Sequence, residues 1–291
     1  MSAKAGVFSH PLLRVALALS GLGLCVWGVL RIALSQREPP DRCPAGMQSI
    51  QARCCGQGQT LQQGVCTGRA TSCSSAQDPD EGGQCVARFG VASFLGGELF
   101  IGAADWDGAS GGERFPRTQV APFRLDVAEV TLERFRACAS CAPRAGEPGQ
   151  PVTQLTGAEA EAFCNAQHGR LPTAAEWVWA AAGPGARRFA WGNSGLVCRR
   201  AAFGLVNGPC ADAGLLGGMP ELVGSRPDGT SPDGVLDLGG NVAEWTREPS
   251  GGYSARGGSF RSTSAAELKS WAALPDREKA LYIGFRCAYP P

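Results

Sequence analysis

Thirteen cysteines in a chain of 291 residues, against only two histidines, constrain this sequence more than any other feature. Cys25 lies in an apolar run, and the other twelve all follow residue 40. Zinc would want closely spaced cysteine pairs, often with histidine. Only Cys138 and Cys141 have C-x-x-C spacing, and no second such pair stands at a suitable distance. An even dozen spread along the chain reads instead as a disulfide set formed in an oxidising compartment. His10 and His168 are the whole histidine complement, which disfavours any mechanism needing two or three of them.

Size and charge narrow the field further. A chain of 291 residues is near the upper end of what a single core holds, so one large domain or two smaller ones is expected. Net charge is +1, from 27 basic and 26 acidic residues, which leaves no electrostatic footprint for nucleic acid and no polybasic strip for anionic lipid. With 41 Gly, 20 Pro and 44% apolar residues, the chain reads as folded but dominated by loops.

Residues 15–30 carry no charge and are bracketed by Arg14 and Arg31. Sixteen helical residues span about 24 Å, short of the roughly 30 Å hydrocarbon core, but Leu12, Leu13, Ile32, Ala33 and Leu34 extend the run and both arginines can snorkel. Three readings compete. A cleaved signal peptide lacks a good small-x-small site, since Leu34-Ser35-Gln36 is a poor one. A lipoprotein signal on Cys25 would want a small residue where Leu24 stands. An uncleaved signal anchor over 12–34 fits best, with 1–11 as a short cytoplasmic tail and the cysteine-bearing bulk in the periplasm or at the cell surface. The membrane is then a partner through residues 12–34.

Residues 35–88 form a linker and a cysteine-rich neck. Cys43, Cys54, Cys55, Cys66, Cys73 and Cys85 fall among few large apolar residues, so the segment needs staples rather than a core. Six cysteines allow fifteen pairings, which stay open here. From residue 89 to 291 the texture is that of one long domain. Apolar residues from Phe94 to Ile101 alternate with glycines and predict strands bent at Gly96-Gly97. Thr156 with Glu159, and Thr173 with Glu176, have the spacing of capping boxes and predict two helix starts; Gly169 is placed to close the first helix. His168, at that helix end, reads as a solvated cap rather than a general base. Trp177, Trp179, Trp191 and Trp245 read as packing aromatics.

Seven motifs in order carry a resemblance. They are Gly96-Gly97-Glu98-Leu99-Phe100-Ile101-Gly102, Glu129-Val130-Thr131, His168 to Trp177, Ala190-Trp191-Gly192-Asn193, Gly234 to Trp245, Arg256 to Phe260, and Gly284 to Ala288. Over about 200 residues this resembles the formylglycine-generating enzyme, or sulfatase-modifying factor, family. The resemblance implies an α+β fold, distantly like C-type lectin domains, loop-rich and held by disulfides and calcium. It also implies an oxidase that converts a cysteine of a sulfatase C-x-P-x-R segment to formylglycine, using copper and oxygen. The family's two active cysteines follow R-G-G-S-F, and here Ser262 and Glu267 occupy those positions. A hydroxyl and a carboxylate are hard donors, poorly suited to copper(I), so no catalytic residue is assigned and copper is not expected. Iron held by a histidine triad, as in the related sulfoxide synthases, is excluded by the histidine count.

Three further expectations come from the resemblance. A calcium site would use the Asp237 side chain, the Gly240 and Val242 carbonyls and the Glu244 carboxylate, a donor mixture suited to that ion. The family's other calcium site falls near Ala201-Ala202-Phe203 and is expected to be lost. Cys164 and Cys287 match a bridged pair, leaving Cys198 with Cys210 and Cys138 with Cys141 as local pairs, the last a small structural clip. The functional expectation is a membrane-anchored, non-catalytic binding or scaffolding protein whose groove near Arg256, Ser259, Arg261 and Ser262 holds a peptide or glycan. The alternative is a formylglycine-generating oxidase with atypical active residues.

Overall fold

Three short hairpins, tied by disulfides, carry the chain into its main domain. The structure is a computed structural model that describes residues 46–101 and 115–291, apart from positions 52, 63–64, 74–76, 80–81, 84, 88–89, 139–140, 143, 194, 196–197, 217 and 275–277. The expected tail, the anchor over 12–34 and Cys43 lie outside the described residues. Among the described residues no helix is long and apolar enough to cross a membrane.

In the neck, β1 (Met47–Ile50) pairs with β2 (Arg53–Gly56), β3 (Thr60–Gln62) with β4 (Val65–Thr67), and β5 (Gln77–Pro79) with β6 (Cys85–Ala87). Cys55–Cys66 ties the first hairpin to the second, and Cys73–Cys85 ties the third to the loop before it. Loops of this size are worth about 3 kcal/mol each in the chain-entropy account. The centre of the neck is partly polar. Buried Gln59 accepts from the Gly56 amide and donates to the Gly68 carbonyl, so its amide is satisfied where an apolar core is lacking. A side chain at Gly56 would meet the Cys85 sulfur at 2.6 Å, so glycine is required there.

The main domain begins with β7 (Val91–Phe94), β8 (Gly97–Ile101), β9 (Phe115–Val120) and β10 (Phe123–Asp126). Gly96 and Gly97 make the bend between β7 and β8 at positive φ. β8 and β9 form one ribbon, while β7 pairs with β10 and places Phe94 and Phe123 in a stack with ring centroids 4.8 Å apart. Three helices follow: α1 (Leu132–Arg136), α2 (Gly157–Ala166) and α3 (Ala174–Ala182). Both expected capping boxes are present, Thr156 with Glu159 and Thr173 with Glu176. The end of α2 differs from the sequence expectation. His168, not Gly169, takes the left-handed position at φ 60°, and the Gly169 amide bonds back to the Cys164 carbonyl at 2.8 Å. Gly169 is needed for closeness, since a Cβ would meet the Ala288 carbonyl oxygen at 2.7 Å.

A four-stranded sheet of β11 (Ala243–Arg247), β12 (Tyr253–Arg256), β13 (Ala273–Leu274) and β14 (Ile283–Gly284) runs in the order β13-β12-β11-β14. β15 (Ala288–Tyr289) then pairs with β10, which brings the end of the domain back beside its beginning. Two apolar clusters flank this arrangement. One centres on Trp177, Phe94 and Phe123, and the other on Trp245, Phe135, Phe163 and Phe285. Cys164 and Cys287 are bridged inside the second cluster across 123 residues, a link worth about 4 to 5 kcal/mol in the chain-entropy account. Cys198–Cys210 and Cys138–Cys141 are also bridged. Trp177, Trp179 and Trp245 are buried in these cores.

Candidate functional site

The loop after β12 is where the two cysteine positions of the resembled family fall. Gly257 (φ 93°) and Gly258 (φ 67°) turn the chain sharply, and a Cβ on Gly257 would lie 2.8 Å from the Leu238 carbonyl oxygen. Ser259 donates from its amide to Ser262 Oγ at 3.0 Å, and Ser259 Oγ accepts from the Arg261 amide at 3.2 Å. Glu267 lies in a 3-10 turn over Ala265–Leu268, and its carboxylate accepts from the Thr263 and Ser264 amides at 3.2 and 3.1 Å. Ser264 Oγ returns the arrangement by accepting from the Ala266 amide. Both replacement side chains are therefore committed to closing their own loop.

That loop is not an open groove, which corrects the sequence expectation. Arg256, Ser259 and Ser262 are buried, at 0%, 2% and 4% exposure. Arg256 is drawn inward by Glu248, whose carboxylate it meets at 2.9 Å. Of the four expected groove residues only Arg261 faces solvent, lying over the Tyr282 ring at 5.6 Å. His168 is exposed and serves through its backbone.

The second constellation surrounds the turn before β11. Asp237 and Asn241 both sit at φ 57°, with Gly240 at φ 104° between them. Arg286 donates to both oxygens of Glu244 at 2.6 Å, and Trp177 Nε1 donates to the same carboxylate at 2.8 Å. The remaining Arg286 donors reach the Asp126, Val127 and Leu236 carbonyls. Glu129, from the E-V-T motif, accepts from Asn241 Nδ2 at 2.8 Å and the Val242 amide at 3.2 Å. Asp237 accepts from the Gly224 amide.

Three buried carboxylates, Glu129, Asp237 and Glu244, thus share the field of Arg286. Burial pushes the Glu129 carboxyl well above its usual range, and repulsion from Asp237 and Glu244 pushes the same way. Burial also raises Asp237, to about 6, against the pull of the Gly224 amide and Arg286. Among the described residues, neither the Gly240 nor the Val242 carbonyl accepts a hydrogen bond, although both residues are buried. Carbonyl and carboxylate oxygens are the donor type that calcium takes, but both Glu244 oxygens are already engaged by Arg286 and Trp177, and among the described residues no group of three or more acidic, histidine or cysteine side chains is arranged to hold a metal ion. At the other position, Ala201, Ala202 and Phe203 are buried apolar residues.

The sequence reading missed Glu129, Trp177 and Arg286 as parts of this cluster. All three stand inside recognised motifs, but nothing local shows that residues over 100 positions apart converge on one turn.

Among the described residues three cavities stand out, the first bordering the acidic cluster through Glu129. One of about 260 Å³ is lined by Asp126, Glu129, Arg134 and Tyr289. A second, about 330 Å³, includes Leu132, Arg144, Thr153, Gln154, Met219 and Leu281. The third, about 300 Å³, includes Phe135, Cys138, Cys141, Arg144, Leu155 and Phe163.

Residues 88–290 match the sulfatase-modifying factor enzyme 1-like domain. The chain belongs to that family. It is similar to the formylglycine-generating enzyme of Mycobacterium tuberculosis, 37% identical over 109 residues, which is 35% of this chain and 34% of that protein. It is also similar to the hercynine oxygenase of Mycolicibacterium thermoresistibile, 35% identical over 109 residues, covering 35% of this chain and 22% of that protein. The match therefore spans about a third or less of these relatives. Among solved structures, PvdO from Pseudomonas aeruginosa superposes with a TM-score of 0.55 at 19% identity, over 71% of this chain and 95% of that one. Treponema denticola variable protein 1 gives 0.53 at 20% identity, over 70% and 95%. These likenesses establish the sulfatase-modifying-factor fold, mixed in α and β and stapled by disulfides. The family includes enzymes that oxidise and modify their substrates.

Proposed function

We propose that this chain is a non-catalytic member of the sulfatase-modifying-factor family, a binding or scaffolding protein for a peptide or glycan. The observation that carries this reading is the use made of Ser262 and Glu267. At the positions of the family's active cysteine pair, a serine accepts from the Ser259 amide and a glutamate caps a 3-10 turn. Neither offers the soft thiolate that copper(I) chemistry needs. The ten cysteines from Cys55 onward that the described bridges involve are all oxidised, and so offer no thiolate either.

Calcium belongs to the same proposal as a structural ion. Asp237, Glu244 and the Gly240 and Val242 carbonyls would hold it, and it would supply the positive charge that Arg286 alone does not. The residues of this chain set up that turn: Asn241 and Glu129 fix its backbone, and Trp177 and Arg286 orient Glu244. Anchoring through residues 12–34, with the domain outside the cytoplasm, completes the reading. Support comes from the disulfides, which form in an oxidising compartment.

With the expected groove closed, the cavity of about 330 Å³ beside Arg144 is the better seat for a ligand. It combines a guanidinium, the amide of Gln154 and the hydroxyl of Thr153 with apolar Leu132, Met219 and Leu281. The test is a peptide and glycan array read with the folded chain, alongside Arg144→Ala and Met219→Asp variants. Saturable binding lost in both variants is expected. Absence of any ligand in either class, or binding indifferent to both changes, contradicts the proposal.

A further inference from the structure

The Cys138–Cys141 bridge is one of the less buried ones: Cys164 and Cys287 are fully buried and Cys210 is 1% exposed, whereas Cys138 and Cys141, like Cys73 and Cys85 in the neck, are half-buried. Among the described bridges its loop is the shortest, a separation of 3 against 11 for Cys55–Cys66 and 123 for Cys164–Cys287. In the chain-entropy account a short loop gives little stability to the folded state, so opening this bridge costs the fold little.

Around the bridge is a cavity of about 300 Å³ whose wall includes Phe135, Leu155, Ala162, Phe163 and Ala166. Arg144 lines the same cavity. Its position is built: Arg136 donates to the Arg144 carbonyl at 3.0 Å and to the Gly146 carbonyl at 2.8 Å, holding that loop against α1. Among the described residues, Arg144 Nε is buried without a hydrogen-bond partner. Glu159 also borders the cavity; one of its carboxylate oxygens accepts from the Thr156 amide and hydroxyl, and its negative charge feels the Arg144 guanidinium. A half-exposed C-x-x-C disulfide beside a guanidinium and an apolar trough is the environment in which thiolates are stabilised and peptides can dock.

We infer that Cys138–Cys141 is an exchange-competent disulfide that passes its bond to an apolar peptide segment carrying two cysteines, with Arg144 stabilising the thiolate that exchange releases. A substrate thiolate attacks one sulfur, the Cys138–Cys141 bond breaks, and the other cysteine leaves as a thiolate. The second substrate thiol then attacks the mixed disulfide. The substrate departs as a disulfide, and the pair here keeps the two electrons and two protons. This activity needs neither Ser262 nor Glu267; Arg144 borders both cavities, so Met219→Asp and Ala166→Asp, each confined to one of them, separate it from the binding role proposed above.

The full chain, in detergent micelles, is equilibrated across a series of glutathione ratios, alkylated, and mapped by mass spectrometry. The Cys138 and Cys141 thiols are expected to appear at a ratio at least tenfold less reducing than those of Cys164 and Cys287. The oxidised chain is then mixed with a reduced peptide bearing two cysteines flanked by Leu and Phe, and with a polar-flanked counterpart. Transfer is expected to be at least severalfold faster to the apolar peptide. Ala166→Asp, on an exposed face of the trough, should remove that preference. Arg144→Gln should slow transfer to both peptides and require a more reducing ratio to open the bridge. Reduction of this pair only together with Cys164–Cys287 overturns the inference. So does reduction without transfer, which marks a structural clip, and so does transfer that persists in a Cys138→Ser/Cys141→Ser variant.

Discussion

Arg286 and Glu244, 42 residues apart, meet in a fully buried two-point ion pair with 2.6 Å contacts on both carboxylate oxygens. The pair joins the strand that ends the signature turn to the G-F-R-C segment, and Trp177 Nε1 ties both to α3. Removing one partner strands the other charge in the core. Arg286→Leu is therefore expected to cost about 3 to 5 kcal/mol, the range for breaking a buried pair. Urea unfolding checks it, with Arg117→Leu as the exposed comparison. A loss under 1 kcal/mol for Arg286→Leu contradicts this account.

Calcium is expected to raise Tm, and chelation to lower it, because two buried carbonyls and the excess carboxylate charge near Asp237 go unmatched without a cation. Asp237→Asn should fold, lose the calcium-dependent part of Tm, and leave the rest intact. Thermal unfolding across a calcium series reads both. A Tm indifferent to calcium and chelator removes calcium from the account.

The second capping box gives a pH signature. Burial opposes ionisation of Glu176, but hydrogen bonds from Arg170 at 2.7 Å and from the Thr173 amide outweigh it and hold the carboxyl below its usual range. A lowered folded-state pKa means the stabilisation is fully present above the unfolded carboxyl pKa, about 4.3, and is lost as pH falls through the folded value. Glu176→Gln should flatten that acid limb of the stability curve. Thr173→Ala should cost about 1 kcal/mol at neutral pH by removing the cap. Denaturant midpoints measured from pH 3 to 7 distinguish the two variants, and parallel acid limbs for wild type and Glu176→Gln contradict the assignment.

Local chemistry made much of this fold legible. Thr156 with Glu159, and Thr173 with Glu176, each act across three residues, so their capping boxes could be read directly from the sequence. The anchor and the neck's fifteen pairings could not be settled that way. Of the neck, Cys55–Cys66 and Cys73–Cys85 are now assigned. The groove was misread for a physical reason. Arg256 and Ser259 look like exposed polar residues in a loop, but Gly257 and Gly258 fold them under the turn and Glu248 holds the guanidinium inside. The acidic cluster was half-read, because Asp237 and Glu244 share one motif whereas Glu129 and Arg286 arrive from opposite ends of the domain.

The capping role of Glu267 has its own consequence. Glu267→Ala should loosen the 3-10 turn and cost about 1 kcal/mol, as for loss of a helix cap. Ser262→Ala leaves the Ser259 amide buried without its partner, at about 1 to 3 kcal/mol. Denaturant unfolding reads both, and neutrality of both would mean that these side chains do not close the loop.

The central claim is that Ser262 and Glu267 leave this domain without the family's cysteine-oxidising chemistry. Aldehyde formation on a C-x-P-x-R peptide tests it most directly, with calcium, copper and oxygen supplied and hydrazide capture followed by mass spectrometry. No aldehyde above the copper-only blank, beside an active formylglycine-generating enzyme, is the predicted result. Aldehyde that depends on the folded chain would contradict it and show that another set of residues carries the oxidation.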